Sequence, residues 1–361
     1  MRRKIIGIAF LILTCAFCFQ AFAQGPKKGK KAMGSSSKSI ETHLILQPRF
    51  QAFDNSKTGV SGSEFYIRVA KLAVKGQVSE NVSYFVGLLT NNLGKAGNTE
   101  IDVQLSDAWM EYTASEMLKL DVGMMKLPFT RHMQQNVKRI HGMDFHNFFM
   151  VNTGAYMHRD IGIMARGLLA NRKVDYRVAL TNGKPHDNTK TGDKHFRGVA
   201  RIGYNFFDAE EDLFVAGAYL GKKKILTCGI SLDVEPGVGG VNNNSMHKSY
   251  AFDAFADIPI DDNGVVANFN YIKMNEGTDR VKGFGVWGDL GYRIQKVEPL
   301  VAIEYYKPDK GDKGKRLAIL PGINLWLDGY STNVKAEFGL TKMNDAPKWD
   351  KTFLIQTQIA Y

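Results

Sequence analysis

Cysteine and proline are scarce in this chain of 361 residues, which carries three cysteines and ten prolines. Cys15 and Cys18 lie in an N-terminal segment expected to be removed, leaving Cys228 alone, so a disulfide-stapled scaffold is excluded. No apolar run exceeds Ile5–Phe19, 15 residues. That is short of the roughly 18–20 that a membrane-spanning helix needs, which excludes a multi-helix membrane protein. Disorder is excluded too, because 44% of the residues are hydrophobic and only 23% charged. Acidic residues are the minority among the charges, 36 against 47 Lys and Arg, for a formal charge of +11. The 36 glycines alongside so few prolines point to β structure.

Arg2, Arg3 and Lys4 precede the apolar run and Ala21-Phe22-Ala23 follows it, the order of a cleavable signal peptide with its cut after Ala23. A lipid anchor on Cys15 or Cys18 is the alternative, but both lie within the apolar run and not after it. Cleavage leaves 338 residues with a balance of +8. Residues 24–39 are basic and of low complexity, a flexible tail, and residues 40–361 form one large domain.

From residue 40 onward, apolar and polar residues alternate in stretches of about ten, the period-2 signature of strands with one wet and one apolar face. In Thr332–Leu340, for example, Val334, Ala336, Phe338 and Leu340 oppose Asn333, Lys335 and Glu337. Strands of about 9–11 residues match a tilted crossing of an outer membrane, whereas strands of a soluble sandwich average about 5–6. Sixteen strands are expected, at 42–53, 64–78, 82–89, 103–113, 118–126, 161–167, 174–181, 195–205, 225–234, 249–259, 265–274, 283–294, 297–306, 315–327, 331–341 and 351–361. Longer and shorter connections alternate between them, as in an all-β transmembrane antiparallel barrel, with 206–224 as the exception. Counting Leu213–Tyr219 as a strand would make seventeen, and the even number fits better.

This register turns Leu44, Phe50, Tyr84, Met110, Tyr112, Tyr176, Phe252, Phe269, Tyr271, Leu290, Tyr292, Ile303 and Tyr305 outward to lipid, with aromatics near strand ends as interfacial girdles. Cys228 faces outward with them. Inward charges nearly balance, ten basic against eleven acidic. The first eight strands carry seven basic and four acidic ones, the second eight three and seven, which predicts a basic and an acidic side to the lumen. Arg68 points inward but Lys71 and Lys75 then point outward, so a β-bulge or strand end must intervene.

The 34-residue connection 127–160 is too long for a turn. It holds Arg131, Lys138, Arg139, Arg159, four of the eight histidines, and the apolar Phe145, Phe148 and Phe149. Such a loop should be folded against something and not extended in water; folded inward, it would narrow the pore and add positive charge at the constriction. The run Gly283–Gly288 matches a nucleotide-binding glycine pattern but sits inside a strand with no helix after it. His132, His141 and His146 lack a compact metal-ligand spacing, and no basic patch interleaved with aromatics points to nucleic acid. No catalytic triad or carboxylate pair stands out, so neither enzyme, metal nor cofactor is expected.

Phe65-Tyr-Ile-Arg68, Lys75-Gly-Gln-Val-Ser-Glu-Asn-Val-Ser-Tyr84, Asp107-Ala-Trp-Met-Glu-Tyr112, Gly123-Met-Met-Lys-Leu-Pro-Phe129, Asn182-Gly183 and Gly322-Ile-Asn-Leu-Trp326 follow one another in an order that resembles the phosphate-selective porins O and P of bacterial outer membranes. The resemblance spans nearly all of the chain after the signal, most strongly residues 64–129. It implies a sixteen-stranded barrel, usually trimeric, in which basic residues of the wall and inserted loops pass phosphate or polyphosphate. Arg68 and Lys126 are the basic residues it matches by position.

The expected function is passive diffusion of small hydrophilic solutes across the outer membrane of a Gram-negative bacterium, with a preference for anions such as phosphate. Guanidinium groups suit phosphate oxygens through paired hydrogen bonds. The expected anion pathway comprises Arg49, Arg68, Lys126, Arg177, Arg197 and Arg201 of the wall with Arg131, Lys138 and Arg139 of the long loop. The expected partners are membrane lipid, small anions and two further copies of the chain. The alternative is a non-conducting barrel, plugged by its long loop, that serves as a surface binding or scaffold protein.

Overall fold

In a computed structural model, residues 39–98, 100–146, 159–183, 196–239, 245–276, 282–311, 314–344 and 346–361 are described. The expected signal peptide and tail, and Phe148, Phe149 and His158 of the long loop, lie outside them. Sixteen strands run in chain order, β1 Ser39–Asn55, β2 Val60–Ser79, β3 Val82–Leu93, β4 Gln104–Ser115, β5 Leu118–Lys126, β6 Arg159–Leu169, β7 Val174–Thr181, β8 Arg197–Asn205, β9 Ile225–Gly239, β10 Ser245–Ile260, β11 Asn263–Glu276, β12 Lys282–Ile294, β13 Val297–Pro308, β14 Arg316–Asp328, β15 Thr332–Met343 and β16 Asp350–Ala360. Each pairs antiparallel with its sequence neighbours, and β1 closes on β16, with Ile45 opposite Ala360, into a barrel. Closure leaves no sheet edge unpaired within lipid, which the missing water makes a requirement.

Connections at one end are short: 80–81, 116–117, 170–173, 261–262, 295–296 and 329–331. Two-residue hairpin turns want positive φ, which Asp261 (50°) and Gln295 (54°) adopt. The opposite, long-loop end carries the 127–158 connection, since β6 begins at Arg159. The exception among the short turns is 206–224, as the sequence indicates. Leu213–Tyr219 within it is not a wall strand.

The outer face is apolar, with Ile163, Ile202, Ile230, Leu290 and Ile303 all exposed. Tyr271, Phe284 and Tyr305 form an aromatic ribbon towards the long-loop end, at centroid spacings of 6.2 and 6.0 Å. Cys228 is half-buried on the outer parity and forms no disulfide. The break expected in β2 falls at Arg68. Gln47 pairs with Val69 and Pro48 with Ile67, so Arg68 is the bulged residue, and Val69, Lys71 and Ala73 are turned inward after it.

Candidate functional site

Two segments enter the lumen from opposite ends. The described part of the long connection, 127–146, drops in from the long-loop end, and 206–224 rises from the short-turn end. Leu127, Phe129 and Met133 of the long insert pack on Val199, Ala251, Ile272, Met274, Trp287 and Tyr306 of the wall. The wall over β8–β13 therefore spends part of its inward face on apolar residues that seat the insert, and the hydrophobic effect holds it there.

The inserts meet as a single parallel bridge between Gln135 and Val215. Val215 N–H donates to Gln134 O (3.2 Å) and Asn136 N–H to Val215 O (3.0 Å). Gly217 N–H donates to Arg139 O at 2.6 Å. A Cβ on Gly217 would lie 2.5 Å from His141 N and 2.9 Å from Arg139 O, so only glycine allows this approach. Arg131 Nε donates to Glu210 Oε2 (2.6 Å), its Nη2 to Ala216 O (2.6 Å), and its guanidinium lies 3.4 Å from the centre of the Phe255 ring. Tyr219 O–H also donates to Glu210, at 2.5 Å. Burial raises the Glu210 carboxyl, but Arg131 and Tyr219 bring it below its usual range.

The long insert spans the charge asymmetry of the wall. Asp144 accepts from Arg49 of β1, with Nη2 at 3.1 Å, and from Arg68 Nε of β2 at 2.9 Å. Burial opposes ionisation of Asp144, yet the two arginines hold it well below the carboxylate range. On the acidic side, His141 pairs with Asp289 and, at 3.3 Å, with Glu298, while His146 Nδ1 meets Glu304 at 2.7 Å. Burial pulls both imidazoles down, but these carboxylates push His141 up to about 10 and His146 up to about 9. His141 fits because residue 291 is glycine, where a Cβ would lie 2.7 Å from its Nε2. Lys335 Nζ donates to the carbonyls of Ile140 (2.7 Å), His141 (3.1 Å) and Gly142 (2.8 Å), capping the turn at the tip of the insert.

Most of the expected anion-pathway cations are thus engaged with protein groups. Arg201 forms a fork with Asp253 (2.9 and 2.6 Å) and reaches Asp175 at 3.1 Å. Arg197 pairs with Asp233 at 2.8 Å. Arg177 contacts Asp175 and donates to the carbonyls of Leu213 (2.9 Å) and Asp212 (3.1 Å) in the lower insert. Lys126 donates to Gln135 O and lies 4.7 Å from the centre of the Phe145 ring. Buried guanidinium groups require such partners.

Lys138 and Arg139 differ. They lie at the tip of the long insert and line a 790 Å³ cavity at the short-turn end, bounded by the first six strands, the lower insert and Tyr330 of the β14–β15 turn. Lys75, Lys119 and Lys222 line it too, as do the acidic Glu41, Glu80, Glu111, Glu211 and Asp212. Among the described residues, none of these five cations has a carboxylate within salt-bridge distance. Burial, then the neighbouring charges of Arg139 and Lys222, lowers the Lys138 ammonium from its ordinary value. Glu210, Tyr219 and the rest of 206–224 were not foreseen as site residues. The signal for them is the length of that connection, which breaks the alternation of long and short.

A closed sixteen-stranded barrel with an apolar outer band and a charged, insert-lined lumen is the architecture of an outer-membrane porin. Residues 40–193 match the family model of phosphate-selective porin O and P. No curated protein matches the chain. Its fold is similar to that of an anion-selective porin from Comamonas acidovorans (TM-score 0.62, 11% identity, covering 90% of this chain and 100% of that one). It is also similar to the outer-membrane channel DcaP of Acinetobacter baumannii (0.59, 10%, 93% and 100%). The trimer form of OmpT, an outer-membrane protein of Vibrio cholerae, is a third such structure (0.57, 10%, 90% and 99%).

Proposed function

We propose that the chain is a non-catalytic diffusion channel that prefers small hydrophilic anions of the phosphate type, exported by cleavage after Ala23 and assembled as a homotrimer. The observation that carries this reading is the group of five cations, Lys75, Lys119, Lys138, Arg139 and Lys222, without carboxylate partners around the short-turn cavity. A cation lowers the electrostatic cost of bringing an anion into a narrow passage and must hold it weakly enough to release it. The match over residues 40–193 to phosphate-selective porin O and P supports the anion preference, as does the likeness to an anion-selective porin. The likeness to a trimeric barrel supports the assembly.

In this reading, the anion path runs past Lys138 and Arg139, while Arg49, Arg68, Lys126, Arg131, Arg177, Arg197 and Arg201 fasten the inserts and the wall. The test is the reversal potential of the full chain in planar bilayers under a KCl gradient. An anion-selective current is expected, and Lys138→Ser with Arg139→Ser should move its reversal potential towards zero. An unchanged potential removes these two residues from the path.

The interlocked inserts favour a second reading, a barrel that conducts little and acts as a surface binding protein. Properly folded protein that gives no current in the same bilayers would support it over the channel.

A further inference from the structure

The short-turn cavity has an apolar side, where Phe85 and Phe214 pack against the buried cluster of Trp109, Met125, Met164, Ala179 and Leu213 that seats the lower insert. Phe85 of β3 and Trp109 of β4 stack nearly parallel, with centroids 5.6 Å apart and planes 14° from each other. Phe214 of the lower insert stands edge-on to both, at 5.9 and 6.3 Å. All three rings line the same cavity as Lys138 and Arg139, and Phe85 and Phe214 are only half-buried. At 790 Å³ the space falls in the range of about 300–1,000 Å³ typical of small-molecule sites, far larger than one inorganic anion requires.

We infer that this vestibule is a subsite for organic anions bearing a flat ring, with the ring against Phe85, Trp109 and Phe214 and a phosphate or carboxylate head among the cations. The inference rests on the anion-channel reading and deepens it. Aromatic rings gain from offset or edge-on contact with another ring, and the cations nearby supply the counter-charge to the anionic head. The arrangement divides the work between two sets of residues. The head is held by side chains of the long insert and the β5 wall, and the ring by two wall strands and the lower insert.

The test is calorimetric titration of the full chain in detergent micelles with phenyl phosphate and methyl phosphate, which share a head and differ in the ring. Phenyl phosphate is expected to bind about ten-fold more tightly. Phe214→Leu should abolish most of that difference without weakening methyl phosphate. Because partition of the ligand into micelles is the same for both proteins, it cancels in this comparison. Lys138→Ser with Arg139→Ser should weaken both ligands alike. Equal affinities of the two phosphates for the unaltered chain, or a phenyl preference that Phe214→Leu and Phe85→Leu both leave intact, overturn the subsite. Equal affinities with a retained anion-selective current overturn the subsite alone. Loss of anion selectivity in bilayers overturns the channel reading and the subsite with it.

Discussion

Arg131 and Glu210 form a buried ion pair, Nε to Oε2 at 2.6 Å, between two segments that enter the barrel from opposite ends. The pair ties the inserts to each other rather than to the wall. Its removal therefore weakens the contact between them without touching a strand. Glu210→Gln should leave Arg131 buried without its counter-charge, at a cost of about 3–5 kcal/mol to the docked state. The expected result is faster hydrogen exchange throughout 206–224, larger or noisier single-channel current, and unchanged strand content by circular dichroism. Exchange in 206–224 matching the unaltered chain would show that the pair does not hold the inserts together.

The histidine clamp predicts a loss at alkaline pH. His141 and His146 have folded-state values raised to about 10 and about 9, above the roughly 6.5 of a free imidazole. A raised value means that the charged form stabilises the docked insert. This contribution is complete below about pH 6.5 and is lost as pH rises through 9 to 10. The seat involves Asp289, Glu298 and Glu304 from the wall. Conductance should rise between pH 8 and 10.5 on the order of one pH unit earlier in His141→Asn. A flat profile in both proteins would remove the clamp from the control of the lumen.

Gly217 gives a steric test of the same docking. A Cβ there meets main-chain atoms of the long insert, His141 N at 2.5 Å and Arg139 O at 2.9 Å. Gly217→Val should separate the inserts, seen as increased protease cleavage within 206–224, while the barrel keeps its resistance to denaturation in gel migration. Cleavage no faster than in the unaltered chain would mean that the inserts absorb the side chain.

Lys335 tests the tip. It donates to three carbonyls of the turn at residues 140–142, and hydrogen bonds from a charged donor are worth about 1.5–3 kcal/mol each. Lys335→Met should loosen residues 138–144, weaken the anion preference set by Lys138 and Arg139, and leave the barrel folded. The reversal potential and hydrogen exchange of that segment measure the two effects.

The barrel was legible because lipid and lumen impose a two-residue period on every strand. The run of Val334, Ala336, Phe338 and Leu340 opposite Asn333 and Lys335 suffices to orient β15. The period also betrayed the bulge, since Arg68 and Lys71 cannot share a face without an extra residue between them. The engaged state of the arginines was not legible. Arg49 meets Asp144 and Arg131 meets Glu210 across 95 and 79 residues, and no local pattern encodes such pairs. An inward arginine reads identically whether it faces solvent or a carboxylate delivered by an insert. Lys138 and Arg139 stand apart only because the insert's tip ends beside a cavity.

The seam between β1 and β16 has a consequence for how the molecule is assembled. It joins residues as far apart as Gln47 and Gln358, whose side chains share a hydrogen bond of 2.7 Å, and Gln358 also donates to Lys138 O of the long insert at 3.1 Å. A sheet still open at this seam can receive both inserts sideways, whereas a finished ring would have to be threaded by them from its two mouths. β16 thus touches the long insert as well as β1, and its pairing with β1 is at once the completion of the wall and the sealing of what lies inside.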